Sequence, residues 1–296
     1  MGRVRHDAAM KPAPFVHHEP RSVEEAVATL AEVGHDGKVL AGGQSLIPVL
    51  NMRLASPNHL VDINRLPGCD RVEVGDDHVR VGALVRHAQL LADARAASAL
   101  PLLGQALACV AHPAIRNRGT TVGSIAHADA AGEMPSVAVL TGAVIEAASV
   151  RGTREIAATD FFEGPLETTL EADEVVVAVR FGRFPTGTRT AFLEAARRHG
   201  DYAMAGVAVA LGVTDGVVSD ARASFVSVTP VPDILDLTEA VRGREPGTVD
   251  WSTVADAVAA HVDPEADIHA SADYRRALVI ELTQRAFAAA AQEGVA

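Results

Sequence analysis

The chain is poor in cysteine and lacks long apolar runs, and both shortages narrow the functions it can have. Its 296 residues include only two cysteines, Cys69 and Cys109. A disulfide framework, or an iron-sulfur cluster held by four cysteines, therefore cannot be built from this chain alone. No stretch approaches the roughly 18 uninterrupted apolar residues of a membrane-spanning helix. We therefore expect no membrane insertion.

Basic residues are also in deficit. Lys and Arg total 26 against 38 Asp and Glu, which gives a net charge of −12. Such a balance repels phosphate backbones and anionic membrane surfaces, so we expect no nucleic-acid partner. Residues 1–13 contain no apolar run of the signal-peptide type, and we interpret them as a tail or an expression leader. Together with the scarcity of cysteine, this predicts a cytoplasmic protein.

Several familiar catalytic patterns are absent. Neither the Rossmann fingerprint nor a Walker A loop occurs, which disfavours NAD on a Rossmann unit. Ser45 lies in Gly-Gln-Ser-Leu-Ile, which lacks the trailing glycine of a hydrolase nucleophile elbow. The pairs His17-His18 and His127-Ala128-Asp129 do not provide three convergent ligands with the spacing of a zinc site. We predict no catalytic residue and no metal on this chain.

The elements that are present predict an α+β fold. Ser22 is followed three residues later by Glu25, the spacing of a capping box, and the apolar residues of 26–31 fall on one helical face. A buried strand over 38–41 then runs into Gly42-Gly43 and a brief helix from Leu46. Farther along, strands and helices mix without regular alternation, which favours α+β over repeated βαβ units.

A boundary is predicted at Gly182–Gly187, where glycine and proline interrupt the periodic segments. Beyond it, residues 188–198, 203–213 and 217–228 are strand-length runs at the spacing of a meander. Two helices follow, over 251–262 and 272–292. The C-terminal part is therefore expected to be a smaller lobe in which helices cover a three-stranded antiparallel sheet.

Two loops combine glycines with hydroxyl side chains. The first glycine segment is Ala41-Gly42-Gly43-Gln44-Ser45, and its strand-glycine-helix pattern places backbone N–H groups where an anion binds well. The second glycine segment is Thr120-Thr121-Val122-Gly123-Ser124, which follows Arg116 and Arg118. Together they suggest a pyrophosphate held from two sides. On the residues alone, a tight turn and a bulge beside solvated arginines remain open.

Five stretches, in order, resemble the FAD-binding medium subunits of molybdenum hydroxylases. They are residues 41–48, 53–57, 112–120, 126–129 and 197–203. The group includes carbon monoxide dehydrogenase and bacterial xanthine, nicotine and quinoline dehydrogenases, and the resemblance extends from about residue 14 onward. It implies a two-part FAD-binding domain of the vanillyl-alcohol-oxidase (PCMH) type over 14–182, with subdomains of about 14–66 and 67–182. A C-terminal domain over 183–296 follows.

The resemblance also implies which residues contact FAD. Both glycine segments would wrap the pyrophosphate, through Ala41, Gly42, Gly43, Gln44, Ser45, Leu46, Thr120, Thr121, Val122, Gly123 and Ser124. Glu133 matches an acidic residue that contacts flavin hydroxyls in relatives, and Asp129 is a second candidate. The alternative for either is a surface or capping carboxylate. Tyr202 matches an aromatic beside the isoalloxazine ring. Its alternative is a core tyrosine with a satisfied hydroxyl.

The second glycine segment departs from the family pattern. Val122 stands where relatives usually have a second glycine, and Thr121 stands where an aliphatic residue is common. Valine does not readily adopt a positive φ. Two explanations remain open: the backbone there already has a negative φ, or the pyrophosphate lies farther away and the Thr121 hydroxyl compensates.

The function implied by the resemblance is electron transfer within a larger enzyme. A molybdopterin large subunit would oxidise the substrate, and an iron-sulfur small subunit would pass electrons to the FAD of this chain and on to an external acceptor. The complex would be a heterotrimer or a dimer of heterotrimers. Two alternatives are a stand-alone flavin oxidase or dehydrogenase, and a non-catalytic nucleotide-binding assembly subunit.

Overall fold

A computed structural model describes residues 11–292 of the chain. The predicted tail, residues 1–13, lies outside this range except for its last three residues. The strands are β1 (Val16–His18), β2 (Gly37–Leu40), β3 (His59–Asp62), β4 (Val72–Val74), β5 (His78–Gly82), β6 (Val144–Ser149), β7 (Gly152–Ala157), β8 (Phe162–Gly164), β9 (Glu167–Thr168), β10 (Val175–Gly182), β11 (Thr188–Ala196), β12 (Ala203–Thr214), β13 (Val217–Val226) and β14 (Leu235–Asp236).

The α-helices are α1 (Val23–Val33), α2 (Leu46–Asn51), α3 (His87–Leu91), α4 (Ala94–Ala99), α5 (Pro101–Cys109), α6 (Pro113–Arg116), α7 (Thr121–His127), α8 (Glu133–Leu140), α9 (Thr238–Val241), α10 (Ala255–His261) and α11 (Ala272–Gln292). Among residues 11–292, none of these helices combines the length and the apolar character that crossing a membrane requires.

The N-terminal part contains a small parallel sheet in the order β1-β3-β2. Helix α1 begins as the sequence predicts, because the Ser22 hydroxyl accepts a hydrogen bond from Glu25 N at 3.2 Å. The Glu25 carboxylate closes the turn by accepting from Arg21 N at 2.7 Å. Strand β1 was not predicted, since three residues are too few to show a period. The parallel strands β2 and β3 both end at the sheet edge where the first glycine segment begins.

A second, antiparallel sheet has the order β4-β5-β10-β6-β7. The central strand β10 is largely buried, which accounts for its almost continuous apolar sequence. Helices α5 and α8 pack against each other, and every residue of α8 is buried. Together with the parallel sheet, this gives the two-part architecture that the resemblance implies.

The C-terminal sheet has the order β11-β12-β13-β14, all antiparallel. The three long strands are as predicted, and the structure adds β14, whose two residues carry no strand signal. Helix α11 covers β11 and β12, while α5 contacts β11 and α8 contacts β12 and β13. Strand β12 is buried along most of its length because helices cover both faces of this sheet. The predicted helix over 251–262 is a 3-10 turn followed by α10.

Candidate functional site

The first glycine segment is a tight turn between β2 and α2. Gly43 has a φ of 72°, a left-handed conformation that glycine adopts without steric cost. Its carbonyl accepts a hydrogen bond from Ile47 N at 3.0 Å, which starts the helix. Ser45 occupies the N-cap position, but its hydroxyl makes no capping hydrogen bond. The turn therefore presents a hydroxyl that the helix itself does not use.

The second glycine segment is not a loop, which corrects the sequence-based prediction. Thr120 is the N-cap of α7, and its hydroxyl oxygen accepts a hydrogen bond from Gly123 N at 3.1 Å. A Cβ at Gly123 would lie 2.4 Å from that same oxygen, so a larger residue there would require the Thr120 side chain to shift. The segment is consequently the start of a helix, and the bulge considered for Gly123 does not occur.

The helix also decides between the two explanations for Val122. Its φ is not positive, as expected within a helix, and its side chain points into the core with 2% exposure. Thr121 is fully buried, and its hydroxyl oxygen lies 3.2 Å from His87 Nδ1. The backbone therefore has a negative φ already, and the buried Thr121 hydroxyl is engaged with His87.

The two glycine segments approach each other at Gly42. A Cβ there would lie 2.6 Å from the carbonyl oxygen of Arg118 and 2.7 Å from Cα of Gly119. No side chain fits without moving the two backbones apart. Beside this contact is a cavity of about 430 Å³, a volume within the range of small-molecule sites. It is lined by Leu40, Ala41, Gly42, Gly43, Gln44, Ile47, Pro48, Asp62, Asn64 and Arg118.

The predicted contact residues are placed unequally around this cavity. Residues 41–44 line it directly, and Ser45 and Leu46 begin the helix that follows. The cavity is also lined by Arg118, two residues before the second glycine segment. Within that segment, residues 120–122 are buried, and Gly123 and Ser124 are half-buried.

Glu133 and Asp129 form an acidic group with Tyr202. Glu133 is the first residue of α8 and is only 9% exposed; burial raises the pKa of its carboxyl to about 8, assisted by Glu194 and Asp129. Asp129 accepts a hydrogen bond from Ala131 N at 2.9 Å, which closes the turn before α8. Tyr202 is 68% exposed, so the alternative of a core tyrosine does not hold. Desolvation raises the pKa of its phenol, and the charges of Asp129 and Glu133 raise it further.

The sequence-based prediction did not include Glu194, which lies in β11 close enough to perturb Glu133. Its Oε2 is buried without a hydrogen-bond partner among the described residues, and burial raises the pKa of the carboxyl to about 7. A single acid inside the apolar run Phe192–Ala196 is a signal that could have drawn attention to it.

Asp62 and Asn64 of the cavity lining were also not predicted. Asp62 ends β3, and Asn64 follows it at the edge where β2 leads into the first glycine segment. Because the carboxyl ends of parallel strands meet at one sheet edge, polar residues after both strands are a usable signal.

The cavity fits the diphosphate of a dinucleotide. Two glycines let the backbone approach closely, and the Ser45 hydroxyl is not used by the helix it precedes. Arg118 lines the cavity, and within residues 11–292 no carboxylate lies at ion-pair distance from its guanidinium. An uncompensated cation beside a glycine turn is suited to bind phosphate oxygens.

Comparison with known families agrees with this geometry. Residues 13–183 match the family described as the FAD binding domain in molybdopterin dehydrogenase. The chain belongs to this family. Residues 190–290 match a second family, the CO dehydrogenase flavoprotein C-terminal domain. This molybdopterin dehydrogenase flavoprotein is thus part of an oxidoreductase, and its cofactor is FAD.

Two relatives of the flavoprotein match it over almost their whole length. The nicotine 6-hydroxylase medium subunit of Paenarthrobacter nicotinovorans is 40% identical over 93% of this chain and 97% of its own. The carbon monoxide dehydrogenase medium chain of Hydrogenophaga pseudoflava is 36% identical over 95% and 98%.

Solved structures show the same fold. Carbon monoxide dehydrogenase from Hydrogenophaga pseudoflava superposes with a TM-score of 0.89 at 36% identity, covering 94% of this chain and 98% of that chain. Quinoline 2-oxidoreductase from Pseudomonas putida 86 also gives a TM-score of 0.89, at 37% identity and 97% and 100% coverage.

Proposed function

We propose that this flavoprotein is the medium subunit of a molybdenum hydroxylase complex and that its FAD relays electrons from a partner subunit to an external acceptor. The observation that supports this most directly is the family match over 13–183, which includes the cavity between the two glycine segments. Bound FAD would supply the redox chemistry, and the chain supplies position and electrostatics.

Different residues in and around the cavity would contact different parts of FAD. We propose that the first glycine segment and Leu46 hold the diphosphate, with Arg118 neutralising its charge and Ser45 donating a hydrogen bond. The second glycine segment, residues 120–124, would hold the diphosphate from the other side, at the start of α7 that the Thr120 cap fixes. Glu133 would accept hydrogen bonds from flavin hydroxyls, with Asp129 as a nearby second acceptor. Tyr202 would cover the flavin from the exposed side.

The complex would contain an iron-sulfur small subunit and a molybdopterin large subunit. Relatives are named as medium subunits or medium chains of nicotine 6-hydroxylase, carbon monoxide dehydrogenase and glyceraldehyde dehydrogenase, which supports this assembly over a stand-alone oxidase or an assembly subunit. We propose a heterotrimer or a dimer of heterotrimers. The two cysteines of the chain are both free thiols, one buried and one half-buried, so cluster ligands would come from the partner.

We also propose the domain limits and the compartment given by the sequence. The parallel sheet ends at Asp62, the five-stranded sheet ends at Gly182 and the C-terminal sheet starts at Thr188. These limits support subdomains of about 14–66 and 67–182 and a C-terminal domain from 183. The free thiols are consistent with a reducing, cytoplasmic location.

The test is to purify the chain alone and together with the subunits encoded beside it, and to record the visible spectrum and dye reduction. A flavin spectrum with turnover only in the complex supports the proposal. Turnover by the chain alone supports a stand-alone enzyme instead. Absence of FAD from both preparations, even after reconstitution, contradicts the proposed function.

The Gly43→Val variant tests the assignment of the first glycine segment. Valine is strained at a φ of 72°, and its Cβ would lie 3.1 Å from Ile47 and 3.2 Å from Leu40. FAD should be lost from the complex. Gly68→Val is the matched control, because Gly68 has a φ of 78° and nothing within 4 Å of its Cβ position. Equal FAD content in both variants would remove this segment from the site.

A further inference from the structure

Arg86 lies between the two glycine segments. It precedes α3, and its backbone pairs with Thr120 through an isolated antiparallel β-bridge. The neighbouring residues extend this junction, because Thr121 N donates to Val85 O at 3.2 Å and His87 N donates to Gly119 O at 3.0 Å. The main chain around Arg86 is therefore attached to the start of α7.

The side chain of Arg86 donates hydrogen bonds to two residues that line the cavity. Its Nη1 donates to the carbonyl oxygen of Arg118 at 2.5 Å, and its Nη2 donates to Asn64 Oδ1 at 2.6 Å. Asn64 in turn donates through Nδ2 to the carbonyl oxygen of Ala41 at 2.8 Å. A continuous chain of hydrogen bonds thus links Ala41 of the first glycine segment to Arg118, which also lines the cavity.

Asn64 is held in the orientation that this link requires. Its backbone N–H donates to Asp62 Oδ1 at 2.9 Å, and its Nδ2 donates to the same oxygen at 2.6 Å. Reversing the amide would turn its NH2 group towards the Arg86 guanidinium, where two donors would meet. Arg86 therefore has a fixed acceptor on one side and a main-chain carbonyl on the other.

The charge of Arg86 is not neutralised by a direct partner. No ion pair with a carboxylate involves it among residues 11–292, although the charge of Asp62 acts on it from a distance. Burial lowers the pKa of the half-buried guanidinium, and the charge of Arg118 lowers it further. Beside this cavity, two cations without direct acidic partners outnumber the one carboxylate of its lining, Asp62, which favours an anionic ligand there.

We propose that Arg86 is a positioning residue that fixes the distance between the first glycine segment and the wall carrying Arg118, and so sets the affinity of the site for the diphosphate of FAD. This inference rests on the proposed function. It requires arginine, because the two donated hydrogen bonds leave from different nitrogens of one planar group. Lysine has a single nitrogen on a flexible stem and cannot hold both acceptors at this separation.

The experiment measures FAD content and the affinity for ADP, a diphosphate without flavin, in the complex and in the full chain freed of FAD. Arg86→Lys keeps the charge and breaks the two-sided link, while Arg86→Gln removes both. Arg80→Lys is the matched control, since Arg80 pairs with Glu146 in the five-stranded sheet, outside the cavity lining. We expect Arg86→Lys to weaken FAD and ADP binding roughly tenfold or more, and Arg80→Lys to leave both unchanged.

Wild-type affinity in Arg86→Lys, with a loss only in Arg86→Gln, would overturn the positioning role, since charge alone would then suffice. Asn64→Ala breaks the same link from the other end. It should weaken FAD binding by a similar factor, and adding it to Arg86→Lys should cause little further loss. If Arg86→Lys unfolds at a lower temperature than Arg80→Lys, its weaker FAD binding does not separate lost stability from lost positioning. The FAD affinity of Asn64→Ala then decides whether the hydrogen-bonded link sets the affinity of the site.

Failure of this inference is distinguishable from failure of the proposed function. Gly43→Val losing FAD while Arg86→Lys and Asn64→Ala keep it would leave the site in place and overturn the role of Arg86. FAD retention in Gly43→Val would instead remove the first glycine segment from the site, and absence of FAD from the wild-type complex would contradict the proposed function.

Discussion

In the first glycine segment, backbone atoms leave no room for a side chain at Gly42, and the left-handed φ of Gly43 strains any other residue. In the second segment, a valine is buried in the core and the single glycine lies in the first turn of a helix. The first is a half-buried turn that lines the cavity. The second is the start of α7, and its residues 120–122 have almost no contact with solvent. Similar composition thus accompanies different local structures, a turn in the first segment and the start of a helix in the second. We propose correspondingly different roles for them at the ligand.

This difference explains why the departure at Val122 is compatible with FAD binding. A glycine that lines a phosphate site is replaceable only at the cost of the ligand, but a residue on the inner side of a helix is chosen by packing. The four predictions that follow test this division of roles, beginning with the largest expected effect.

Gly42→Ala should abolish FAD binding or reduce it by more than tenfold. The added Cβ would lie 2.6 Å from Arg118 O, so the wall of the cavity must move away from the first glycine segment. FAD content of the purified complex is the measurement. Gly75→Ala is the control, because its Cβ would meet its neighbours at ordinary contact distances of 3.5 Å or more. Normal FAD content in Gly42→Ala would show that this close approach is not required.

Val122→Gly should lower the free energy of unfolding by about 3 kcal/mol, from lost burial of the side chain and the poor helix propensity of glycine. At about 2–4 °C per kcal/mol for a chain of this size, thermal unfolding detects it readily. Val122→Ala should lower the free energy of unfolding by less, because alanine keeps one buried methyl group and has a high helix propensity. If Val122→Gly instead binds FAD more tightly at unchanged stability, Val122 is an obstacle within the site and the comparison is wrong.

Glu133, which follows the second glycine segment, should make the FAD-free chain less stable as pH rises. Its pKa is about 8 in the folded chain against the usual 4.5, so the folded state binds more protons between these values. The contribution of Glu133 to the free energy of unfolding is therefore fully present below pH 4.5. It is lost as pH rises towards 8, at up to about 1.4 kcal/mol per pH unit for one proton.

Glu133→Gln should therefore flatten the dependence of the unfolding temperature on pH between 6 and 8. The pH dependence that remains would come from Glu194, whose pKa is also raised. Glu174→Gln is the control: although burial opposes it, hydrogen bonds from Arg154 and Glu171 N lower the pKa of Glu174, so it stays ionised over this range. An unchanged slope in Glu133→Gln would mean that its carboxyl is ionised in the folded chain.

The sequence predicts what local chemistry determines. The Ser22 cap, the strand ending at the first glycine segment and the three long C-terminal strands all follow from spacing over a few residues. The stretches 41–48 and 112–120 identify the family. The helical start at Thr121 was missed because its hydroxyls and glycine resemble a loop, although a Thr cap three residues before Gly123 N is itself a helix signal.

The tertiary part of the site could not be predicted in this way. The need for glycine at position 42 comes from Arg118 and Gly119, which are distant in sequence. The link from Ala41 through Asn64 to Arg86 depends on side-chain directions that no spacing encodes. Glu194 reaches Glu133 only because α8 packs on the C-terminal sheet, so its perturbed pKa is a property of the packed domains.

Ser45 and Thr120 give the smallest and most specific contrast, because both occupy N-cap positions but only Thr120 makes the capping hydrogen bond. Thr120→Val should cost about 1 kcal/mol of stability, whereas Ser45→Ala should leave the unfolding temperature of the FAD-free chain unchanged and weaken FAD binding. Ser22→Ala, at the cap of α1, is the control that loses a similar stability without any change in FAD affinity. A stability loss in Ser45→Ala equal to that of Thr120→Val would show that the two hydroxyls serve the same role.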